Sequence, residues 1–170
     1  GSDDLREVCT ALAENMLMLC NGWDEEKARA EVAEAVASGK AFETMKKWIA
    51  AQGGNAAALE DFSLLPQASV HYELKAPRSG YLAHMDAQKI GEASAILGAG
   101  RQKKEDSIDY AAGIVLRKKT GDRVEAGETL AELWTNQEKS IADSEAEFLS
   151  ALVWGEEAPQ HQPLVLGVIR

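Results

Sequence analysis

Apolar residues recur at helical spacing through the first third of the chain, then shift to alternate positions. Leu5, Val8, Cys9, Leu12, Met16, Leu19 and Cys20 share one helical face, which predicts a helix over residues 4–21. Asp4 is placed to cap it with Glu7 reaching back, and Gly22 to stop it. Leu17 and Met18 widen the apolar face, so contact on more than one side is expected. Asp24 caps a second predicted helix to Ser38, with Ala28, Val32, Ala35 and Val36 inward and Gly39 after it. A third helix over 41–51 places Phe42, Met45, Trp48 and Ile49 on one side and ends at Gly53-Gly54. Residues 55–66 read as a loop or short helix, with a domain boundary near Pro66.

Beyond Pro66 the period becomes two. Val70, Tyr72 and Leu74 alternate with His71, Glu73 and Lys75, the signature of a strand. Pro77-Arg-Ser-Gly80 is a turn into a second strand over 81–85. Asp86 caps a helix that buries Ile90, Ala93 and Leu97 and closes at Gly98. Its small residues Gly91, Ala93, Ser94 and Ala95 permit close approach to a neighbour. Strands are expected over 111–118, at Val124 and over 129–135, a helix over 137–153, and a terminal strand over 163–170. Helices first and strands afterwards define an α+β chain.

Composition narrows the function. The chain's 170 residues suit one large domain or two small ones. Its 18 basic and 28 acidic residues give a net charge of −10, which repels phosphate backbones and anionic lipid. Nucleic acid and membrane are therefore not expected as partners, and no apolar run is long enough to span a bilayer. On one helix Cys9 and Cys20 would stand roughly 16 Å apart along the axis, too far for a disulfide. Free thiols fit a reducing cytosol. The opening Gly1-Ser2 resembles the scar of a cleaved tag, so the chain reads as a piece cut from a longer protein.

The stretch from Asp86 to Gly113 is the one the rest is arranged around, yet by itself it defines a fold element and no chemistry. Gly98-Ala-Gly-Arg101 lacks the third glycine of a dinucleotide loop and closes a helix instead of opening one. A glycine cap with a loop behind it is the plainer reading. Arg101, Lys103 and Lys104 could meet an anion, but Glu105 and Asp106 follow at once and point to a solvated mixed-charge loop. His71, His84 and His161 are scattered without metal-ligand spacing, and Cys9 and Cys20 read as small core residues. No serine sits in the Gly-x-Ser-x-Gly context of a hydrolase nucleophile.

Residues 116–133 resemble the strand–turn–strand of biotinyl and lipoyl carrier domains. Those domains present a modified lysine just after the second strand. Here Gln137 stands at that position, and glutamine cannot be acylated in that way. Lys139 is out of register. The motif is architecture without its reactive residue.

A wider set of segments carries a second resemblance. Leu5-Arg-Glu-Val, Ala13-Glu-Asn-Met-Leu, Ala35-Val-Ala-Ser-Gly-Lys-Ala-Phe-Glu, Trp48-Ile-Ala-Ala-Gln-Gly-Gly and Leu64-Leu-Pro come first. Ala76-Pro-Arg-Ser-Gly-Tyr, Ile90-Gly through Leu97-Gly-Ala-Gly-Arg101, Ile108-Asp-Tyr-Ala-Ala-Gly-Ile and Lys118-Lys-Thr-Gly-Asp-Arg-Val-Glu-Ala-Gly-Glu follow. In that order they resemble the pyrimidine-nucleoside and thymidine phosphorylase family over nearly all of residues 4–170.

The resemblance implies a cytoplasmic homodimeric salvage enzyme that splits thymidine, uridine or deoxyuridine with phosphate. The family's phosphate loop, its base-binding arginine, serine and lysine, and its potassium site lie upstream of Asp3 and have no match here. No catalytic, substrate-binding or metal-ligating residue is therefore assigned to this chain, and it is expected to be inactive alone. Phosphate as co-substrate and potassium belong to the complete enzyme. By resemblance, residues 3–66 are the end of its α/β domain. Residues 67–170 are its C-terminal domain, a small mixed β domain of barrel-sandwich, biotinyl-like type with two helices. The resemblance also places Gly98, Gly100 and Arg101 in a loop that closes the interdomain cleft. The alternative is a non-catalytic biotinyl- or lipoyl-like binding or structural module. The first helix should meet further chain in a longer protein; alone, it should pair with a second copy or be hidden by rearrangement.

Overall fold

The computed structural model describes residues 2–101, 103–160 and 162–169. It is α+β, and it divides into two compact units, Gly1–Leu64 with Gln162–Arg170, and Leu65–His161.

The first unit holds three helices, α1 (Asp3–Asn21), α2 (Glu25–Ala37) and α3 (Lys40–Ala51), then short 3-10 turns at Ala56–Leu59 and Phe62–Leu64. Ser2, not Asp4, occupies the cap position of α1, which leaves Asp3 and Asp4 in the first turn, where carboxylates favour the helix dipole. Gly22 turns left-handed (φ 64°) and donates to the Met18 carbonyl, ending α1 as expected. Asp24 caps α2 by accepting from the Lys27 amide at 2.8 Å.

The apolar stripe of α1 lies open in this chain. Leu5, Leu12, Met16 and Leu19 are 63, 60, 64 and 86% exposed. Cys9 and Cys20, expected in a core, are exposed free thiols. α1 buries Glu14, not this stripe, and Arg29 of α2 reaches the Glu14 carboxylate at 3.7 Å. On α2, Ala28 and Val32 are buried, but Val36 is exposed; on α3, Phe42, Met45 and Trp48 are exposed. Periodicity identified the apolar faces, but nothing in the described chain covers them.

The second unit carries the core. β1 (Val70–Lys75), β5 (Thr129–Thr135) and β3 (Gly113–Leu116) form one antiparallel sheet with β5 in the centre. β4 (Arg123–Val124), β2 (Gly80–Met85) and β6 (Leu152–Gly155) form another around β2. Register fixes which residues point inward: Leu74 pairs with Ala131, and both Tyr72 and Ile114 face Leu133. The ladders break at a bulge between Leu74 and Lys75 and another between Leu82 and His84. α4 (Ala87–Ser94) and α5 (Ile141–Ser150) complete a core of Leu74, Leu82, Ala93, Leu97, Leu133 and Phe148, all fully buried. The Ser144 hydroxyl of α5 donates to the Ala93 carbonyl of α4 at 2.8 Å. The Tyr72 hydroxyl donates to Glu145 at 2.8 Å, and that bond holds the phenol above its usual range.

Several expected elements differ. The helix expected to reach Val153 stops at Ser150, and Leu152–Gly155 instead pairs with β2. The strand expected over 111–118 shrinks to Gly113–Leu116. No strand forms over 163–169, which is irregular with a bend at Leu164; Arg170 lies outside the described residues.

Candidate functional site

The candidate site is the turn that leaves α4. Asp86 caps α4 by accepting from the Gln88 amide at 2.9 Å and the Lys89 amide at 3.3 Å. The helix does not run on to Gly98 as expected. It ends at Ser94 and opens into a wider π-type turn over Ala95–Ala99. Leu97 plugs that turn into the core, and Gly98 takes φ 111°. A Cβ on Gly98 would lie 3.3 Å from the Asp109 Cβ and 3.4 Å from Gln137 Nε2. A Cβ on Gly100 would lie 3.0 Å from the Ala95 Cβ. Both glycines are thus fixed by space, and Gly98 also by backbone conformation.

Gly98→Ala should therefore destabilise the second unit by roughly 1–3 kcal/mol. Urea unfolding of parent and variant measures this, and equal midpoints would contradict it.

A polar corner holds the turn in place. The Asp109 amide donates to the Gly98 carbonyl at 2.9 Å. The Asp109 carboxylate accepts from the Ala111 amide and from Asn136 Nδ2, both at 2.9 Å. The Asn136 side-chain oxygen accepts from the Ser69 amide at 2.9 Å. Thr135, fully buried, donates its hydroxyl to the Leu97 carbonyl at 2.7 Å and accepts from the Gln137 amide at 2.9 Å. Arg101 leaves this corner exposed to solvent. The basic run beyond it turns at Lys103–Asp106, where the Asp106 carboxylate accepts from the Lys103 amide at 2.8 Å.

Of the other candidates, His71 stacks on Trp134 with ring centres 3.6 Å apart, and His84 is exposed. His161 lies outside the described residues. No three His, Cys, Asp or Glu side chains gather at metal-binding distance among the described residues. Lys118 bonds Glu128 at 2.6 Å across the hairpin into β5 and holds that carboxyl below its usual range. Gln137, at the place of a carrier lysine, hydrogen-bonds Thr135 through its amide. Sequence reading missed Asp109, Thr135 and Asn136. The only local signal was an Asp two residues ahead of Ala111, the spacing at which its carboxylate accepts that amide.

α4, the glycine turn, the β3–β5 hairpin and α5 fall within residues 81–153, as does all of β2 but Gly80. Over those residues the chain matches the family pattern described as the pyrimidine nucleoside phosphorylase C-terminal domain. The class is therefore that of phosphorylase C-terminal domains. The pyrimidine-nucleoside phosphorylase of Geobacillus stearothermophilus is 42% identical over 140 residues, covering 82% of this chain and 32% of that enzyme. The enzyme of the same name from Staphylococcus aureus (strain USA300) is 45% identical over 139 residues, 81% of this chain and 32% of the relative. That of Bacillus subtilis is 42% identical over 139 residues. The chain belongs to the pyrimidine-nucleoside phosphorylase family, as a C-terminal part of it. It spans about a third of the length of the relatives it matches, at 32% of each.

Proposed function

We propose that this chain completes an enzyme that cleaves pyrimidine nucleosides with inorganic phosphate, and that it has no activity alone. In that reaction a phosphate oxygen bonds to the anomeric carbon as the glycosidic C–N bond breaks. The bonding pair leaves on the base nitrogen, which takes up a proton, and the products are the free base and a pentose 1-phosphate. An enzyme accelerates this by holding phosphate against the anomeric carbon and stabilising the oxocarbenium-like centre and departing base. The observation that supports the reading is identity of 42–45% to enzymes named for this family, confined to about a third of their length.

The remaining parts of the reading follow from the same family. Residues 3–66 are the end of an α/β domain, and the exposed apolar faces of α1 and α3 dock on the polypeptide that the relatives carry N-terminal to the matched region. Residues 67–170 are the C-terminal domain, and the two small sheets are its barrel-sandwich of biotinyl-like type. Gly98, Gly100 and Arg101 border the interdomain cleft, where Arg101 steadies the closed form. The complete enzyme works as a cytoplasmic salvage homodimer on nucleoside and phosphate, with potassium held outside this chain. The net charge of −10 supports small-molecule partners over nucleic acid or membrane.

The test is phosphorolysis of thymidine and uridine, followed by ultraviolet absorbance in phosphate buffer, on this chain and on the complete enzyme. Turnover by the complete enzyme alone is the expected result. Turnover by this chain, or by neither, would overturn the reading.

A further inference from the structure

We propose that Asp109, Thr135 and Asn136 are positioning residues that set the place of Arg101 in the complete enzyme. This rests on the cleft role given to Arg101 above and adds the means by which the fold delivers it.

Thr135 sits at the last position of the central strand β5 and is fully buried, on the core side with Leu133. A buried hydroxyl must find partners. Its hydrogen goes to the Leu97 carbonyl, which lies in the π-type turn where the α-helical ladder of α4 has ended. Its oxygen receives the Gln137 amide. One hydroxyl thus joins the end of a helix to the end of a strand, just before the chain reaches Gly98. Valine has nearly the same shape but would leave both partners unpaired.

Asp109 performs the matching task on the far side. Its amide closes the base of residues 99–108 on the Gly98 carbonyl, and its carboxylate spans Ala111 and Asn136. Asn136 passes the constraint to Ser69, just ahead of β1. Both ends of the segment that contains Arg101 are therefore fixed to the β1–β5 sheet. In carrier domains the residues after this strand present a lysine outward. Here the residues after it, Asn136 and Gln137, are exposed but bond Asp109, Ser69 and the buried Thr135, and so anchor a neighbouring loop.

The experiment compares Arg101→Ala, Thr135→Val, Thr135→Ser, Asp109→Ala and the double variant Arg101→Ala/Thr135→Val in the complete enzyme. Misplacement of a group by about 1 Å costs up to roughly a hundredfold in rate, so Thr135→Val and Asp109→Ala should each lower kcat/KM by at least about tenfold. Thr135→Ser should restore it. The double variant should be no worse than Arg101→Ala alone, because the two changes remove one effect. Amide exchange at Gln137, read in the same proteins, should quicken in Thr135→Val and not in Thr135→Ser.

Additive losses in the double variant would overturn the proposal, since they assign Thr135 a general structural role. Undiminished kcat/KM in Thr135→Val, with a loss in Arg101→Ala, would overturn it while sparing the cleft role of Arg101. An unchanged Arg101→Ala would remove the cleft role itself, and the positioning proposal with it, even if exchange at Gln137 quickens.

Discussion

Phe148→Ala should lower the stability of the second unit by about 3–5 kcal/mol, the usual cost of emptying a fully buried phenylalanine site. Phe148 projects from α5 into the cluster formed by both sheets and α4, with no exposed surface. Its neighbours cannot collapse freely into the space, because α5 is held to α4 by the Ser144–Ala93 bond. A domain of this kind is stable by roughly 5–15 kcal/mol in total, so the variant should be largely unfolded in moderate urea. Val153→Ala is the natural control: Val153 is exposed, and its loss should shift stability by less than about 0.5 kcal/mol. Equal urea midpoints for Phe148→Ala and the parent would show that the core has been misassigned.

Self-association of the isolated chain should disappear in the Leu12→Lys/Met16→Lys variant. Leu5, Leu12, Met16 and Leu19 are spaced along one stripe of α1, and each is worth roughly 1.5–3 kcal/mol when removed from water. The first unit has little else to bury, for its buried apolar residues in α1 to α3 are only Ala28 and Val32. A stripe of that size in water favours a second copy when the enzyme's other domains are missing. Sedimentation velocity over a concentration series should show the parent associating and the double-lysine variant monomeric. A parent that stays monomeric at high concentration would contradict this and leave the stripe without an occupant in the isolated chain.

Local chemistry was legible where one short segment decides the outcome. The caps at Asp24 and Asp86 follow from a carboxylate just ahead of free amides, and β1 follows from the alternation of Val70, Tyr72 and Leu74 with polar neighbours. β6 was not legible, because Leu152 and Trp154 continue the apolar pattern of α5 and nothing local marks the change of period at Ala151. The exposure of α1 was not legible either, since periodicity identifies the apolar side but not what lies against it. The polar corner was hidden for a further reason. Its bonds join Leu97 to Thr135, Asp109 to Asn136 and Ser69 to Asn136, pairs 38, 27 and 67 residues apart. No spacing rule reaches that far. Of the three, the Ser69–Asn136 bond depends on the register of β1 on β5.

The sheet edges carry a consequence for solubility. The edge strands β3 and β4 are only four and two residues long. The other margins, β1 and β6, are six and four residues long, and each ladder shifts register against an extra residue in its central strand, Leu130 of β5 and Ala83 of β2. A neighbouring strand laid along any margin would gain a ladder of at most six residues, on a sheet bent by the bulge in its central strand. Among the described residues the sheets therefore present only short edges, which limits edge-to-edge pairing between copies. The wider exposed apolar surface lies on α1 and α3, so contact between copies is expected through helices more than through strand edges.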